Sequence, residues 1–255
     1  MAAKACSVLI TGANRGLGLE MVKQMVESPW PVRQLLACCR DLDGLRAEVR
    51  GLRDLAKKHP NVITVLRLDT TDPCSIKESA KQVGSLVGKA GLNLLVNNTG
   101  VLTHGTMQTT STQDMQAAFN TNIMGPMDFT KVREFLPYLQ AAATASEKPG
   151  MSCSKPAVVS ISSTVGSMAT VKEMYSFFPM ASAGLNMLTL CATEEFRKDE
   201  ILFVVLHPGW VCTDMGGEGV SLTGRSVEGL LSVMDSLTEK QTGAFLDYEG
   251  KVMPW

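Results

Sequence analysis

Residues 11–18, Thr-Gly-Ala-Asn-Arg-Gly-Leu-Gly, carry the strongest indication of the fold. An apolar run at Ser7 to Ile10 precedes this stretch, and an amphipathic segment from Gly16 to Glu27 follows it directly. A glycine turn between a strand and a helix exposes backbone N–H groups at the positive end of the helix dipole, so it favours a bound anion. A glycine-rich turn without a ligand would share this spacing, but the strand before it and the helix after it favour a nucleotide phosphate.

The three glycines have distinct expected tasks in this turn. Gly12 allows the tight turn, Gly16 lets a phosphate approach the backbone, and Gly18 lets the helix pack on the sheet. The residues predicted to bind the cofactor here are Gly12, Asn14, Arg15, Gly16, Leu17 and Gly18.

The rest of the chain alternates short apolar runs with helical patterns, which is typical of a parallel sheet covered by helices on both faces. The predicted strands are Ser7 to Ile10, Gln34 to Cys39, Val62 to Leu68, Leu92 to Asn97, Ala157 to Ile161, Ile201 to Leu206 and Ala244 to Leu246. The predicted helices are Gly16 to Glu27, Asp43 to Lys58, Pro73 to Lys89, Thr112 to Leu139, Ser182 to Lys198 and Ser226 to Leu237. We therefore predict an α/β protein with one doubly wound, Rossmann-type parallel sheet, and a single NAD(P)-binding domain over residues 1–255. The stretches 141–156 and 216–223 are predicted loops.

Composition excludes several classes of protein. Hydrophobic residues make up 45% of the 255 residues, which is enough for a large core. The formal net charge is −1 and aromatic residues make up 5%, so neither charge nor stacking favours nucleic acid. No apolar run is long enough to span a membrane, and we expect no membrane partner.

The cysteines and histidines indicate neither disulfides nor a metal site. The seven cysteines are scattered and form no C-x-x-C pair, and the three histidines lack metal-ligand spacing. Reduced thiols and the lack of a signal-peptide pattern predict a cytoplasmic protein.

The end of the second predicted strand indicates which dinucleotide binds. A carboxylate there favours a free ribose 2′-hydroxyl, whereas an arginine favours a 2′-phosphate. The strand ends in Cys39-Arg40 with Asp41 next, and Arg15 adds a second guanidinium from the glycine turn. We predict NADP(H), with the alternative that Arg40 is only a solvated strand-end residue. Asp69, after the third strand, is predicted to accept a hydrogen bond from the adenine amino group.

The chain resembles the short-chain dehydrogenase/reductase family over essentially its whole length. The resemblance rests on five stretches in order, namely 11–18, Asn97-Asn98-Thr99-Gly100, Asn120-Thr121-Asn122-Ile123-Met124-Gly125, Ser162-Ser163-Thr164-Val165-Gly166 and His207-Pro208-Gly209-Trp210-Val211-Cys212-Thr213-Asp214-Met215. Residues 208–217 look most like the sniffer and C-factor branch, whose members resemble NADPH-dependent carbonyl reductases. The usual Asn-Asn-Ala-Gly carries Thr99 here in place of alanine.

The resemblance implies hydride transfer between NADPH and a small ketone or aldehyde. It assigns Ser163 to the orientation of the substrate carbonyl and Asn122 to a proton-relaying water. It also implies that Thr213 forms a hydrogen bond with the nicotinamide carboxamide; the alternative is that Thr213 only caps the N-terminus of a helix. The further cofactor-binding residues that it implies are Asn97, Gly100, Pro208, Gly209 and Val211. It allows a homodimer packed through the predicted helix at Thr112 to Leu139.

One feature of the family is missing. The family's tyrosine moves the proton, and a lysine four residues later lowers its pKa, since a nearby cation favours phenolate. No lysine occurs between Lys172 and Lys198, and an ungapped alignment puts Phe178 and Ser182 at the two positions. Tyr175, 12 residues after Ser163, is the fallback proton donor, but it has no lysine partner.

A gap of about five residues between Ser182 and Ala183 would restore the family pattern on both sides. A natural non-catalytic or spliced form, an engineered deletion and an incomplete sequence all remain open. The sequence therefore predicts an NADP(H)-dependent, carbonyl reductase-like enzyme, with a cofactor-binding protein of impaired catalysis as the alternative.

Overall fold

The computed structural model describes residues 6–28, 30, 32–42, 47–102, 108–130, 134–146, 150–170, 178–212 and 223–255. Its seven strands form one sheet, and every neighbouring pair is parallel. The strands are β1 (Cys6–Thr11), β2 (Val32–Cys39), β3 (Ile63–Arg67), β4 (Leu94–Asn97), β5 (Ala157–Ile161), β6 (Leu202–His207) and β7 (Phe245–Asp247). Their order is β3-β2-β1-β4-β5-β6-β7, so the winding reverses between β1 and β4. Ligands of such sheets bind beyond the carboxyl ends of the strands at this reversal.

The helices cover both faces of the sheet, which confirms the predicted α/β architecture. They are α1 (Gly16–Glu27), α2 (Ala47–Lys58), α3 (Pro73–Val87), α4 (Thr112–Phe119), α5 (Gly125–Thr130), α6 (Leu136–Thr144), α7 (Phe178–Glu195) and α8 (Thr223–Ser236). Local sequence explains several of the helix starts. Pro73 opens α3 while the Asp72 carboxylate accepts from the Cys74 N–H, and a capping box between Ser111 and Asp114 opens α4.

Alternate side chains of the strands enter two apolar cores. Val8 and Ile10 of β1 pack with Met21 of α1 and Leu230 of α8 on one face. Leu9, between them, packs on the other face with residues of α3 and α6. Both faces of the central strands are therefore covered, which is why those strands read as nearly continuous apolar runs.

The long helix expected over Thr112 to Leu139 is wrong as a single element. A π-helical turn at Asn120–Met124 interrupts it between α4 and α5, and a separate helix, α6, continues to Thr144. The predicted loop at 141–156 consequently begins later than expected. The apolar periodicity continues through the break because α5 and α6 both place apolar side chains in the same core, Phe129 from α5 and Leu136 and Leu139 from α6.

Other boundaries differ by a few residues. Helix α7 begins at Phe178 rather than Ser182, and α8 begins at Thr223 rather than Ser226. Residues 43–46 and 216–222, parts of an expected helix and an expected loop, lie outside the described residues. Across the described ranges, none of the helices combines the length and apolarity needed to cross a bilayer.

Candidate functional site

The glycine turn joins β1 to α1 at the switch point. Gly12 and Gly16 have φ angles of +64° and +52°, the left-handed region that glycine adopts without strain. A methyl group at Gly18 would collide with the Gly12 carbonyl oxygen. This close approach is the reason for the third glycine, because it lets the start of α1 sit directly against the turn. Asn14 and Leu17 are half-buried here, while Arg15 is exposed at the N-cap of α1.

Two residues outside the predicted set, Thr11 and Asn98, hold this turn against the end of β4. The Thr11 hydroxyl accepts from the N–H groups of Asn98 and Thr99, each at 3.0 Å. The Asn98 side-chain amide donates to the carbonyls of Thr11 at 2.9 Å and Gly12 at 3.3 Å. Their positions in the turn and in the Asn-Asn-Thr-Gly stretch were the only sequence signal for this clamp.

The two predicted cations follow the ends of neighbouring strands, Arg40 after β2 and Arg15 after β1. Arg40 and Arg15 are both exposed at the carboxyl edge of the sheet. Arg53 of α2 reaches the same region, because its guanidinium donates to the Leu42 carbonyl and its charge opposes the raised pKa of the Cys39 thiol. Burial is the main cause of that raised pKa. Arg53 is therefore a cation beside the end of β2 that sequence reasoning missed.

The carboxyl ends of β3 and β4 present the next predicted residues. Asp69 accepts the Thr71 N–H and hydroxyl on one carboxylate oxygen, at 2.9 and 2.7 Å. Asn97 is only 5% exposed and, with Ser160 and Thr189, lines a cavity of about 140 Å³ between the sheet, α5 and α7. This cavity lies behind the strands rather than at the glycine turn. The cofactor contacts of Asp69 and Asn97 remain predictions.

Asn122 lies in the π-helical turn and is bound to the loop after β4. Its side-chain oxygen accepts from the Val101 N–H and its amide donates to the Val101 carbonyl, both at 2.9 Å. Gly100 lies beside this pair, since a methyl group there would be 3.6 Å from the Asn122 oxygen. Asn122 therefore ties the interrupted helix to the β4 loop, and its role with a proton-relaying water stays a prediction. π-Helical turns are frequent at functional sites.

Ser163 caps the short helical turn after β5. Its hydroxyl accepts from the Val165 N–H at 3.4 Å, and the side chain is half-buried. The neighbouring Thr164 N–H donates to His207 Nδ1 at 3.2 Å, so the His207 imidazole must be neutral to accept it. Burial lowers the His207 pKa to about 4, against a smaller opposing effect of Asp247. This geometry gives His207 a role in holding the turn.

The segment after β6 closes the site on its other side. Gly209 has a φ angle of +80°, and the Tyr248 ring lies where a side chain would project. The Pro208 carbonyl accepts from the Ser226 hydroxyl of α8 at 2.5 Å, and Val211 is 5% exposed. Backbone groups of this segment are therefore fixed at the strand edge. Thr213 lies outside the described residues, so its role stays a prediction.

The start of α7 is where the sequence departs from the family. Helix α7 is continuous across Ser182 and Ala183, and Ser182 is 3% exposed. A methyl group on Gly166 would be 2.8 Å from the Ser182 Cβ, so the helix lies directly on the turn that follows Ser163. Ser182 carries no charge to lower a neighbouring phenol's pKa. Tyr175, the fallback donor, lies outside the described residues.

The fold and the sequence of this chain are similar to those of known carbonyl reductases. The carbonyl reductase from chicken fatty liver, solved with NADPH bound, is 41% identical, with a TM-score of 0.93 and coverage of 100% of this chain and 96% of that one. The carbonyl reductase Sniffer of D. melanogaster is 31% identical, with a TM-score of 0.93 and coverage of 98% and 100%. The C-signal protein of Myxococcus xanthus is 32% identical over 167 residues, covering 64% of this chain and 93% of its own.

The model of the short chain dehydrogenase family matches residues 7–221. That match includes the glycine turn, the Asn122 turn and the Ser163 turn. The chain therefore belongs to the short-chain dehydrogenase family.

Proposed function

We propose that this protein is an NADP(H)-dependent oxidoreductase of the carbonyl reductase type. It would transfer a hydride between NADPH and a small ketone or aldehyde. The observation that carries the proposal is the clamped glycine turn beside the exposed Arg15 and Arg40. Two guanidiniums can form charge-assisted hydrogen bonds with a 2′-phosphate. The 41% identical chicken carbonyl reductase, solved with NADPH, supports the same cofactor.

The residues present fit the cofactor. Gly12 and Gly18 let the turn and the start of α1 pack closely together, because a side chain at either position would collide with Thr99, Asn98 or the Gly12 carbonyl. The first N–H groups of α1 are thereby left to face the phosphate position. The dihydronicotinamide supplies the hydride when the cofactor is bound. Ser163 would donate a hydrogen bond to the substrate carbonyl oxygen, and Asn122 would hold the water that carries protons. The backbone of Pro208 to Val211 would cover the nicotinamide side of the site.

Ser182 favours a second candidate, a protein that binds NADP(H) with little or no turnover. A buried serine stands where the ungapped alignment expects lysine, so no cation at that position can favour a tyrosinate. General acid–base catalysis contributes roughly 10²- to 10⁴-fold to a rate, and its loss would leave binding intact. The same chain would then act as a sensor or scaffold.

Two measurements test these candidates. NADPH and NADH are titrated by fluorescence, and we expect tighter binding of NADPH; equal affinity or a preference for NADH would contradict the arginine argument. NADPH oxidation is then followed with 1,4-naphthoquinone and with a small aldehyde. The sample must first show the intact mass of this 255-residue chain. Robust turnover selects the oxidoreductase, whereas tight binding without turnover selects the second candidate.

We further propose that residues 1–255 form one dinucleotide-binding domain that acts in the cytoplasm on a small-molecule carbonyl substrate. Helices α4 and α5 are the part of the chain through which a homodimer would pack. Sedimentation across a concentration series tests the dimer, and a single species of monomer mass would contradict it.

A further inference from the structure

Asn186 lies in the middle of α7 and faces the turn that carries Ser163. Its side chain is 2% exposed, so its amide has little access to water. A buried amide must find hydrogen-bond partners inside the protein, since leaving one unpaired is costly. The hydrogen-bond partners of Asn186 therefore indicate its role.

Both partners of Asn186 flank Ser163. The Ser162 hydroxyl donates to Asn186 Oδ1 at 2.7 Å, and Asn186 Nδ2 donates to the Gly166 carbonyl at 3.3 Å. One side chain thus bridges the residue before Ser163 and the end of the helical turn Thr164–Gly166. Asn186 therefore holds both ends of this turn through a single side chain.

A second element holds the same turn from the other side. His207, at the end of β6, accepts from the Thr164 N–H at 3.2 Å. The turn is therefore fixed between α7 and β6 at Ser162, Thr164 and Gly166. The Ser163 hydroxyl accepts from Val165 N–H within this turn, so its direction depends on the turn's conformation.

We propose that Asn186 is a positioning residue that aims the Ser163 hydroxyl at the substrate carbonyl. This rests on the proposed oxidoreductase function, since Ser163 is the group expected to touch the substrate. Asn186 itself contacts only Ser162 and Gly166 and acts through the turn. A misplacement of about 1 Å in such a group can lower a rate by roughly a hundredfold.

Thr189 offers a matched control one helical turn further along α7. It is equally buried, at 3% exposed, and its hydroxyl donates to the Leu185 carbonyl within α7 at 2.9 Å and lies 3.2 Å from the Ser160 hydroxyl of β5. Thr189→Val removes both of these buried polar contacts without touching the Ser163 turn. It reports what the loss of a buried hydrogen bond does to stability alone.

The experiment compares Asn186→Ala, Asn186→Asp, Thr189→Val, Ser163→Ala and the double variant Ser163→Ala/Asn186→Ala in the full chain. We measure NADPH affinity, Tm, and kcat and KM for 1,4-naphthoquinone. Asn186→Ala should lower kcat about tenfold, with NADPH affinity within about twofold of the parent protein. Thr189→Val should lower Tm but keep kcat. If Asn186→Ala fails to fold, Asn186→Asp, which keeps the acceptor for Ser162 and loses the donor to Gly166, should show a smaller loss of kcat.

The double variant decides the mechanism, because coupled residues lose additivity. Adding Asn186→Ala to Ser163→Ala should lower kcat no further. A full additional loss, an unchanged kcat in Asn186→Ala, or an equal kcat loss in Thr189→Val would overturn the proposal.

Amide hydrogen exchange of residues 163–166 separates this proposal from the oxidoreductase function. Faster exchange there in Asn186→Ala, but not in Thr189→Val, supports the positioning role. If the parent protein shows no turnover, the oxidoreductase proposal fails while this measurement still decides the inference. Unchanged exchange in Asn186→Ala would overturn it whatever the turnover.

Discussion

The glycine turn after β1 and the Ser163 turn after β5 lie at the same edge of the sheet. The first has the residues expected beside it for cofactor binding, whereas the second lacks the Tyr-x-x-x-Lys pair expected beside it for proton transfer. Around the glycine turn, Thr11 and Asn98 supply the bonds that lock the backbone in place. Around Ser163, Asn186 and His207 lock the turn equally firmly. What differs is the chemistry beside each turn, because arginines accompany the first and a buried serine takes the lysine position beside the second.

The Ser163 turn thus keeps its supporting hydrogen bonds in a sequence that lacks the family's Tyr-x-x-x-Lys pair. The bonds around Ser163 belong to packing between α7, β5 and β6, so they satisfy buried polar groups whether or not catalysis occurs. The lysine of the family pattern acts through its charge, and neutral packing does not require it. Four predictions test how far the two turns differ.

The largest effect should come from restoring the missing pair. Inserting Tyr-Ala-Ala-Ala-Lys between Ser182 and Ala183 should raise kcat for 1,4-naphthoquinone about a hundredfold or more, because a lysine-assisted phenol becomes available as general acid. NADPH affinity should change much less. Steady-state kinetics measure both quantities.

The control for this insertion is the double substitution Phe178→Tyr/Ser182→Lys, which follows the ungapped alignment. Ser182 is 3% exposed and lies against Gly166, so a lysine there would be buried and crowded. We expect a lower Tm and no gain in kcat. An insertion that leaves kcat unchanged would show that the missing pair does not limit the reaction.

The free energy of unfolding should also depend on pH, through the His207 imidazole that supports the Ser163 turn. Its pKa is lowered by burial from 6.5 to about 4, so the unfolded chain binds the proton more tightly. The neutral His207 therefore contributes about 3 kcal/mol to the free energy of unfolding. This contribution is fully present above pH 6.5 and is lost as the pH falls towards 4. Urea unfolding at pH 7 and pH 4 measures it.

His207→Gln should remove this contribution, and the control is His59→Gln, at a half-buried position directly after α2 and away from the Ser163 turn. The difference in unfolding free energy between the two pH values should shrink in the first variant only. An equal pH dependence in the parent protein and in His207→Gln would contradict the role of His207.

A smaller effect is expected at the cofactor turn. Arg40→Asp should weaken NADPH binding about tenfold while changing NADH binding little, because it removes a charge-assisted bond to the 2′-phosphate. Fluorescence titration of both cofactors measures the ratio. Lys198→Asp, the same charge reversal at the opposite edge of the sheet before β6, should leave the ratio unchanged. If Arg40→Asp leaves the ratio of NADPH to NADH affinity unchanged, Arg40 is a solvated strand-end residue that does not bind the 2′-phosphate.

The smallest effect is expected at Thr99, where the family usually has alanine. Thr99→Ala should change NADPH affinity less than about twofold, because the bond from its backbone N–H to Thr11 survives. Thr11→Val, which removes the shared acceptor, should weaken binding clearly more. The reverse order would show that the Thr99 hydroxyl, rather than the clamp, shapes the turn.

The sheet and the glycine turn could be predicted because their signals are local. A strand, three glycines and a helix occur within about twenty residues of each other, and strand–helix alternation indicates parallel winding. The start and end of α1 were predicted to the residue. The break at Asn120–Met124 could not be predicted, because apolar periodicity continues through it and because the partner of Asn122 within it is the distant Val101.

Three contributors to the candidate site were not assigned from the sequence for a related reason. Arg53, Asn98 and Asn186 each bond to a residue brought near by the fold, and even the motif position of Asn98 does not say which residue it contacts. His207 belongs to a stretch quoted for the family resemblance, but only the structure shows that it accepts a hydrogen bond from the Ser163 turn. Pairings between separate elements depend on tertiary packing, which a pattern of residues along the chain does not contain.

The sequence by itself determined the α/β class, the phosphate-binding turn and the absence of the Tyr-x-x-x-Lys pair, since each is a matter of residue types at short range. Only the tertiary structure decided that Ser182 is buried against Gly166, that Asn186 and His207 grip the Ser163 turn, and that Asn98 clamps the glycine turn. These contacts join residues 16 to 87 positions apart in the chain. The physical reason is that the buried polar groups of one element find their partners only when other elements have packed against it.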